Sequence, residues 1–119
     1  MNGVIFGKFF PFHYGHLSVI TRALNECEKV FVVVCAREGS QPSGQKRAYW
    51  IQQSAPRAEV LLTDDLCNWH FSQPCVKGCT DVWKKRTAEL IPHEIDVVYS
   101  SEGYGEDFSK AISARHVSV

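Results

Sequence analysis

Gly7-Lys8-Phe9-Phe10-Pro11-Phe12-His13-Tyr14-Gly15-His16 joins an apolar strand to an amphipathic helix, and the reading of this junction decides the fold. Upstream, Val4-Ile5-Phe6 is the short apolar run that a central parallel strand needs. Downstream, Leu17, Ile20, Ala23, Leu24 and Cys27 recur at the spacing of one buried helix face, which predicts a helix beginning close to His16. The free N–H groups and positive dipole end of that helix then point into the crevice at the strand's carboxyl end, a site suited to an anion.

Within the junction each residue type has a physical use. Gly7 lets the chain leave the strand with no Cβ in the way, and Pro11 stiffens the loop. Gly15 permits close approach of backbone to ligand in the first helical turn. His13 and His16, three apart, can lie on one side of that turn and donate ring N–H groups to phosphate oxygens, with Lys8 as a mobile positive charge beside them. Lys8 alone would serve equally as a solvated charge.

Outward from the junction, apolar runs alternate with helical patterns. Val30-Phe31-Val32-Val33-Val34-Cys35 reads as a strand buried on both faces, and residues 36–45, rich in Gly, Ser, Gln and Pro, as a loop. A helix from about Lys46 to Ser54 follows, then a strand over Glu59-Val60-Leu61-Leu62. A long loop from Thr63 to Cys79 precedes a helix from about Thr80 to Ile91, stopped by Pro92. The pattern closes with a strand over Ile95-Asp96-Val97-Val98-Tyr99, a short helix from Glu106 to Ser113 and a strand over His116-Val117-Ser118-Val119. This alternation predicts an α/β fold, a Rossmann-like parallel sheet of about five strands with right-handed crossovers and helices on both faces.

Composition agrees with one small globular domain over residues 1–119: 45% hydrophobic and 12% aromatic. Thirteen Lys and Arg against 13 Asp and Glu give no basic field for nucleic acid, so a nucleotide suits the chain better than a polynucleotide. No apolar run approaches a membrane span and the N-terminus enters a strand, so no membrane association and a cytoplasmic location are expected. Five cysteines, an odd number, argue against a disulfide framework; Cys27 and Cys35 read as small core residues. Cys67, His70, Cys75 and Cys79 share the long loop, and thiolates with an imidazole are what zinc prefers, although the spacing is not that of a standard finger.

The pattern Gly-x-Phe-x-Pro-x-His-x-Gly-His over Gly7–His16 resembles the signature of the nucleotidylyltransferase superfamily, and the variant Gly7-Lys8-Phe9 resembles the nicotinamide-nucleotide adenylyltransferase domain of the NadR type. A weaker resemblance continues through Lys46-Arg47-Ala48-Tyr49-Trp50-Ile51, Asp81-Val82-Trp83, and the run from Ile95 to Gly105. The resemblance implies transfer of AMP from ATP to nicotinamide mononucleotide, giving NAD and pyrophosphate, with Mg2+ accompanying ATP. It further implies catalytic roles for His13, His16 and Lys8, with Gly7, Phe9, Phe10 and Gly15 around the nucleotide. By the same resemblance Arg47 would help hold the mononucleotide, Trp83 would stack near the nicotinamide, and the turn Ser101-Glu102-Gly103-Tyr104-Gly105 would border the adenosine. Arg47 and Lys46 could instead decorate an exposed helix face, and Trp83 could be core. Loops at the position of residues 63–79 usually face substrate in this family, so no metal is expected there.

One feature departs from the family. Its second signature, an Ile-Ser-x-x-x-x-Arg-like segment after the fifth strand that grips the β- and γ-phosphates, is not found; Ile112-Ser113-Ala114-Arg115 has the letters but the wrong spacing and precedes the strand. The domain is therefore expected to stop before that segment, to bind nucleotide weakly and to make NAD at a negligible rate by itself. A non-catalytic nucleotide-binding or regulatory module, and a related transferase acting on a phosphate ester such as phosphopantetheine or glycerol phosphate, remain open. Trp50, Trp69 and Trp83 favour an aromatic acceptor.

Overall fold

The computed structural model describes residues 1–7, 9, 14–36, 39, 43–64, 78–100 and 104–118. Among the described residues five strands and four helices alternate: β1 (Asn2–Gly7), α1 (Tyr14–Glu26), β2 (Lys29–Ala36), α2 (Gly44–Ser54), β3 (Glu59–Asp64), α3 (Gly78–Leu90), β4 (Val97–Ser100), α4 (Tyr104–Ala111) and β5 (Arg115–Ser118). All strands pair in parallel in the order β3-β2-β1-β4-β5. The α/β, Rossmann-like architecture expected from the sequence is the one observed.

Strand alternation sends the central side chains into two separate cores, one on each face of the sheet. Ile5, Val30, Val32, Val34, Val97 and Tyr99 meet Val19, Ile20 and Ala23 of α1 and Ile51 of α2. Val4, Phe31, Val33, Cys35 and Val98 meet Ile91, which follows α3, and Phe108 of α4, with Trp83 and Leu90 packed at the margin. The run Val30–Cys35 is buried throughout because it is a central strand covered on both faces. Cys27 and Cys35 are buried free thiols, as their apolar settings suggested.

The boundaries differ from the sequence reading where polar residues take part. α1 begins at Tyr14, so His16 is its third residue. α2 begins at Gly44 because Ser43, in extended conformation, accepts a hydrogen bond on its side-chain oxygen from the Lys46 N–H at 3.2 Å. β3 continues through Thr63 and Asp64, which stay in register with Cys35 and Ala36. α3 begins at Gly78, β4 at Val97, and α4 at Tyr104, so Tyr104 and Gly105 open a helix and are not part of a turn. Among the described residues no helix is long and apolar enough to cross a membrane.

Candidate functional site

Strand order places the site. The chain lays β2 and β3 on one side of β1 and then crosses to set β4 on the other, so the direction of winding reverses between β1 and β4. A crevice forms at such a reversal, outside the carboxyl ends of the strands. β1 ends there at Gly7 and β4 at Ser100, and α1 and α4 begin within a few residues of those ends.

His16 is the third residue of α1, half-buried in the first turn of the helix that follows β1. Its imidazole meets the Phe9 ring edge to face, with centroids 4.9 Å apart. Phe9 is itself 3% exposed and holds a left-handed backbone with φ of 51°. A Cβ on Gly7 would lie 3.0 Å from two atoms of the same ring. Gly7 is thus the space that Phe9 fills, and Phe9 is the support on which His16 rests. Gly15 is exposed in the first turn of α1. Lys8, Phe10 and His13 lie outside the described residues, as do Ser101 and Glu102.

The softer expectations separate. Arg47 is 2% exposed, so it does not decorate a solvated helix face. It shares the buried face of α2 with Gly44 and Ile51, whereas Lys46 is exposed. Trp83 packs edge to face on Phe6 at 5.6 Å, and Phe6 in turn on Phe108 at 5.0 Å, an aromatic group beneath the α3 and α4 side of the crevice. Ile112 and Ser113 form the turn that ends α4: Ser113 has φ of 58° and the Ala114 N–H donates to the Ser109 carbonyl. Cys79 falls in α3; Cys67, His70 and Cys75 lie outside the described residues, among which no group of His, Cys, Asp and Glu gathers to hold a metal ion.

Three arrangements were not foreseen. Ser100, 4% exposed at the carboxyl end of β4, shares a hydrogen bond of 2.8 Å with Nε2 of His116 on β5. The Tyr99 hydroxyl donates to Oε1 of Glu26 at 2.9 Å and lies 3.5 Å from the Cys27 sulfur, fastening the end of α1 to the sheet. Burial, then the contacts with Cys27 and Glu26, hold the Tyr99 phenol well above the ordinary tyrosine range. Finally, a cleft of about 590 Å³ opens over the carboxyl ends of β2 and β3, lined by Ala36, Leu62, Thr63 and Asp64, the start of α2, and Arg86 and Leu90 of α3. Gly44 admits this close approach of α2, since a Cβ there would lie 2.5 Å from that of Ala36 and 2.8 Å from Leu62 Cδ1.

Comparisons with known proteins agree with this geometry. The trifunctional NAD biosynthesis/regulator protein NadR of Escherichia coli (strain K12) is 24% identical over 115 residues, which cover 84% of this chain and 28% of that protein. A crystal structure of NadR in complex with NAD and AMP-PNP superposes with a TM-score of 0.67 at 20% identity, covering 99% of this chain and 37% of the other. The lipopolysaccharide core biosynthesis protein of Thermoplasma volcanium GSS1 superposes at 0.66 with 14% identity, covering 100% of this chain and 95% of its own. These likenesses establish the shared fold, and the chain spans between 28% and 37% of the NadR proteins it resembles. The cytidylyltransferase-like family model matches residues 4–66, just over half of the chain, from the first strand through the site loop and past β3. The chain therefore belongs to the cytidylyltransferase-like family, in the nucleotidylyltransferase superfamily.

Proposed function

We propose that this domain transfers AMP from ATP to nicotinamide mononucleotide, forming NAD and releasing pyrophosphate. The observation that carries the reading is the position of His16, in the first turn of a helix that opens onto the crevice between β1 and β4. Its N–H groups and imidazole suit a phosphate that gains charge during transfer. The likeness to NadR, described as a protein of NAD biosynthesis and solved with NAD and AMP-PNP and with NR, supports the choice of nucleotides.

In this reading a 5′-phosphate oxygen of the mononucleotide attacks the α-phosphorus of ATP, and the bond from that phosphorus to the oxygen bridging the β-phosphate breaks. Pyrophosphate leaves with the bonding electrons. The attacking phosphate is already ionised at neutral pH, so the protein has to align the partners and neutralise charge, without a covalent intermediate. ATP would arrive as its magnesium complex, and the cation would supply further neutralisation of phosphate charge. His16 donates to an α-phosphate oxygen as charge builds there, with His13 and Lys8 assigned to the remaining phosphates.

Incubation with ATP and a panel of phosphate-ester acceptors, read by mass spectrometry, tests the proposal. NAD and pyrophosphate are expected with nicotinamide mononucleotide, in trace yield from the 119 residues by themselves and in full yield from a form that carries the second signature. A larger yield with phosphopantetheine or glycerol phosphate would replace the acceptor, and ATP binding with no pyrophosphate from any acceptor would make the domain a binding module.

A further inference from the structure

We infer that His116 is a positioning residue for nucleotide binding: through its hydrogen bond to Ser100 it sets where the chain leaves β4, and so where α4 presents its N-terminus to the crevice. This rests on the adenylyl-transfer reading only in so far as that reading brings a nucleotide to the crevice between β1 and β4.

The bond runs diagonally between strands. In the ladder of β4 and β5, Ser100 lies beside Ser118 and Val98 beside His116. Strand alternation puts Val98, Ser100 and His116 on one face of the sheet, that of the second core, which Val98 shares with Phe108 of α4. His116 therefore reaches forward along the sheet to meet Ser100 at 2.8 Å, from the edge strand to the strand that borders the crevice. The backbone ladder already pairs Val97 to Ser100 with Arg115 to Ser118, so this side-chain contact is additional to what holds β5 in register.

Its place is the last residue of β4, where Val97, Val98 and Tyr99 precede a serine that is 4% exposed. A hydroxyl at that depth is costly unless it is hydrogen-bonded, and His116 supplies a partner whichever of the two gives the proton.

Residues 101–103 alone separate Ser100 from Tyr104, the first residue of α4. The far end of α4 is held by burial of Phe108 and Ser109, and by the Ala114 N–H donating to the Ser109 carbonyl at 2.8 Å. The near end takes its position from Ser100. A helix of 8 residues tied at both ends has little freedom to tilt, so its N-terminal N–H groups and the positive end of its dipole keep one direction. Phosphate is bound well by a helix N-terminus that is already in place, and a small displacement far from the ligand is enough to weaken it.

Calorimetric titration with ATP and Mg2+, beside urea unfolding, tests this in wild type, Ser100→Ala, His116→Ala, the double variant, His116→Gln and Ile91→Val. Each alanine variant should weaken ATP binding about tenfold, the order of one hydrogen bond. The double variant should bind no more weakly than either single one, since all three lack the same bond. His116→Gln, whose amide can reach Ser100 as Nε2 does, should return affinity to within about twofold of wild type. Ile91→Val thins the same core without touching the bond; it should lower stability and leave ATP affinity unchanged, which separates positioning from general loosening. Unchanged affinity in His116→Ala, losses that multiply in the double variant, or no rescue by glutamine would overturn the inference while leaving adenylyl transfer standing. Wild type that binds no ATP would strike both.

Discussion

The edge of the Phe9 ring meets the His16 imidazole at an interplanar angle of 73°, and the same ring fills the volume that a side chain on Gly7 would occupy. Three residues of the signature therefore position one another. A left-handed backbone at a phenylalanine is unfavourable by about 1–3 kcal/mol, and the burial of its ring in the first core keeps it there. Phe9 braces the imidazole and exposes little surface of its own.

Replacing His16 with alanine should lower kcat by a factor on the order of 10² or more while changing ATP affinity far less, because the lost donor serves an oxygen whose charge grows during transfer. Steady-state kinetics alongside equilibrium binding separate the two effects. Equal, small losses in both would remove His16 from the reaction.

Gly7→Ala should destabilise the fold by about 1–3 kcal/mol, since the new methyl group meets the buried Phe9 ring and neither can move freely. Combining it with Phe9→Ala should cost less than the sum of the single changes, because the second substitution empties the space the first needs. Urea unfolding of the four proteins gives the coupling; strict additivity would mean that the contact is relieved without strain.

Stability should fall more steeply above pH 10 in the native protein than in Tyr99→Phe. The Tyr99 phenol is raised from an ordinary value of 10.0, chiefly by burial. Below pH 10 both folded and unfolded chains keep the proton; above it the unfolded chain releases the proton while the folded one retains it, which favours unfolding. Denaturant midpoints measured at pH 9 and pH 11 for both proteins test the sign, and parallel slopes would show that the hydroxyl does not titrate on unfolding.

Purified protein should carry no stoichiometric zinc, despite Cys67, His70, Cys75 and Cys79. Elemental analysis giving close to one zinc per chain, with thermal stability lost on chelation, would reverse this expectation and assign those residues a structural role.

What the sequence disclosed follows from how each element earns its place. Val30–Cys35 was legible as a strand covered on both faces because burial left no room for polar residues. The helix after the signature was legible because Ile20 and Ala23 repeat on one face. Thr63 and Asp64 were read as loop because the pattern of apolar residues ends at Leu62, while the backbone ladder continues beside Cys35 and Ala36. Arg47, read from its charge alone as able to decorate an exposed helix face, stands one helical turn before Ile51 on the buried face. The cleft could not be seen in any single segment: Arg86 and Thr63 belong to different elements, and only the winding of the chain brings them to 2.9 Å.

The short ladder between β1 and β4 pairs Gly3 with Val97 and Val4 with Val98, and the Asn2 N–H reaching Asp96 extends it by a side-chain contact. Residues 1–64 thus make a unit of neighbouring strands, whereas joining β4 to β1 closes a loop of most of the chain at a correspondingly larger entropic cost. The site crevice lies on that seam. A nucleotide spanning it would act as a clasp between the two halves, so that occupancy should protect the backbone amides of Val97 and Val98 from hydrogen exchange more than those in the middle of β2.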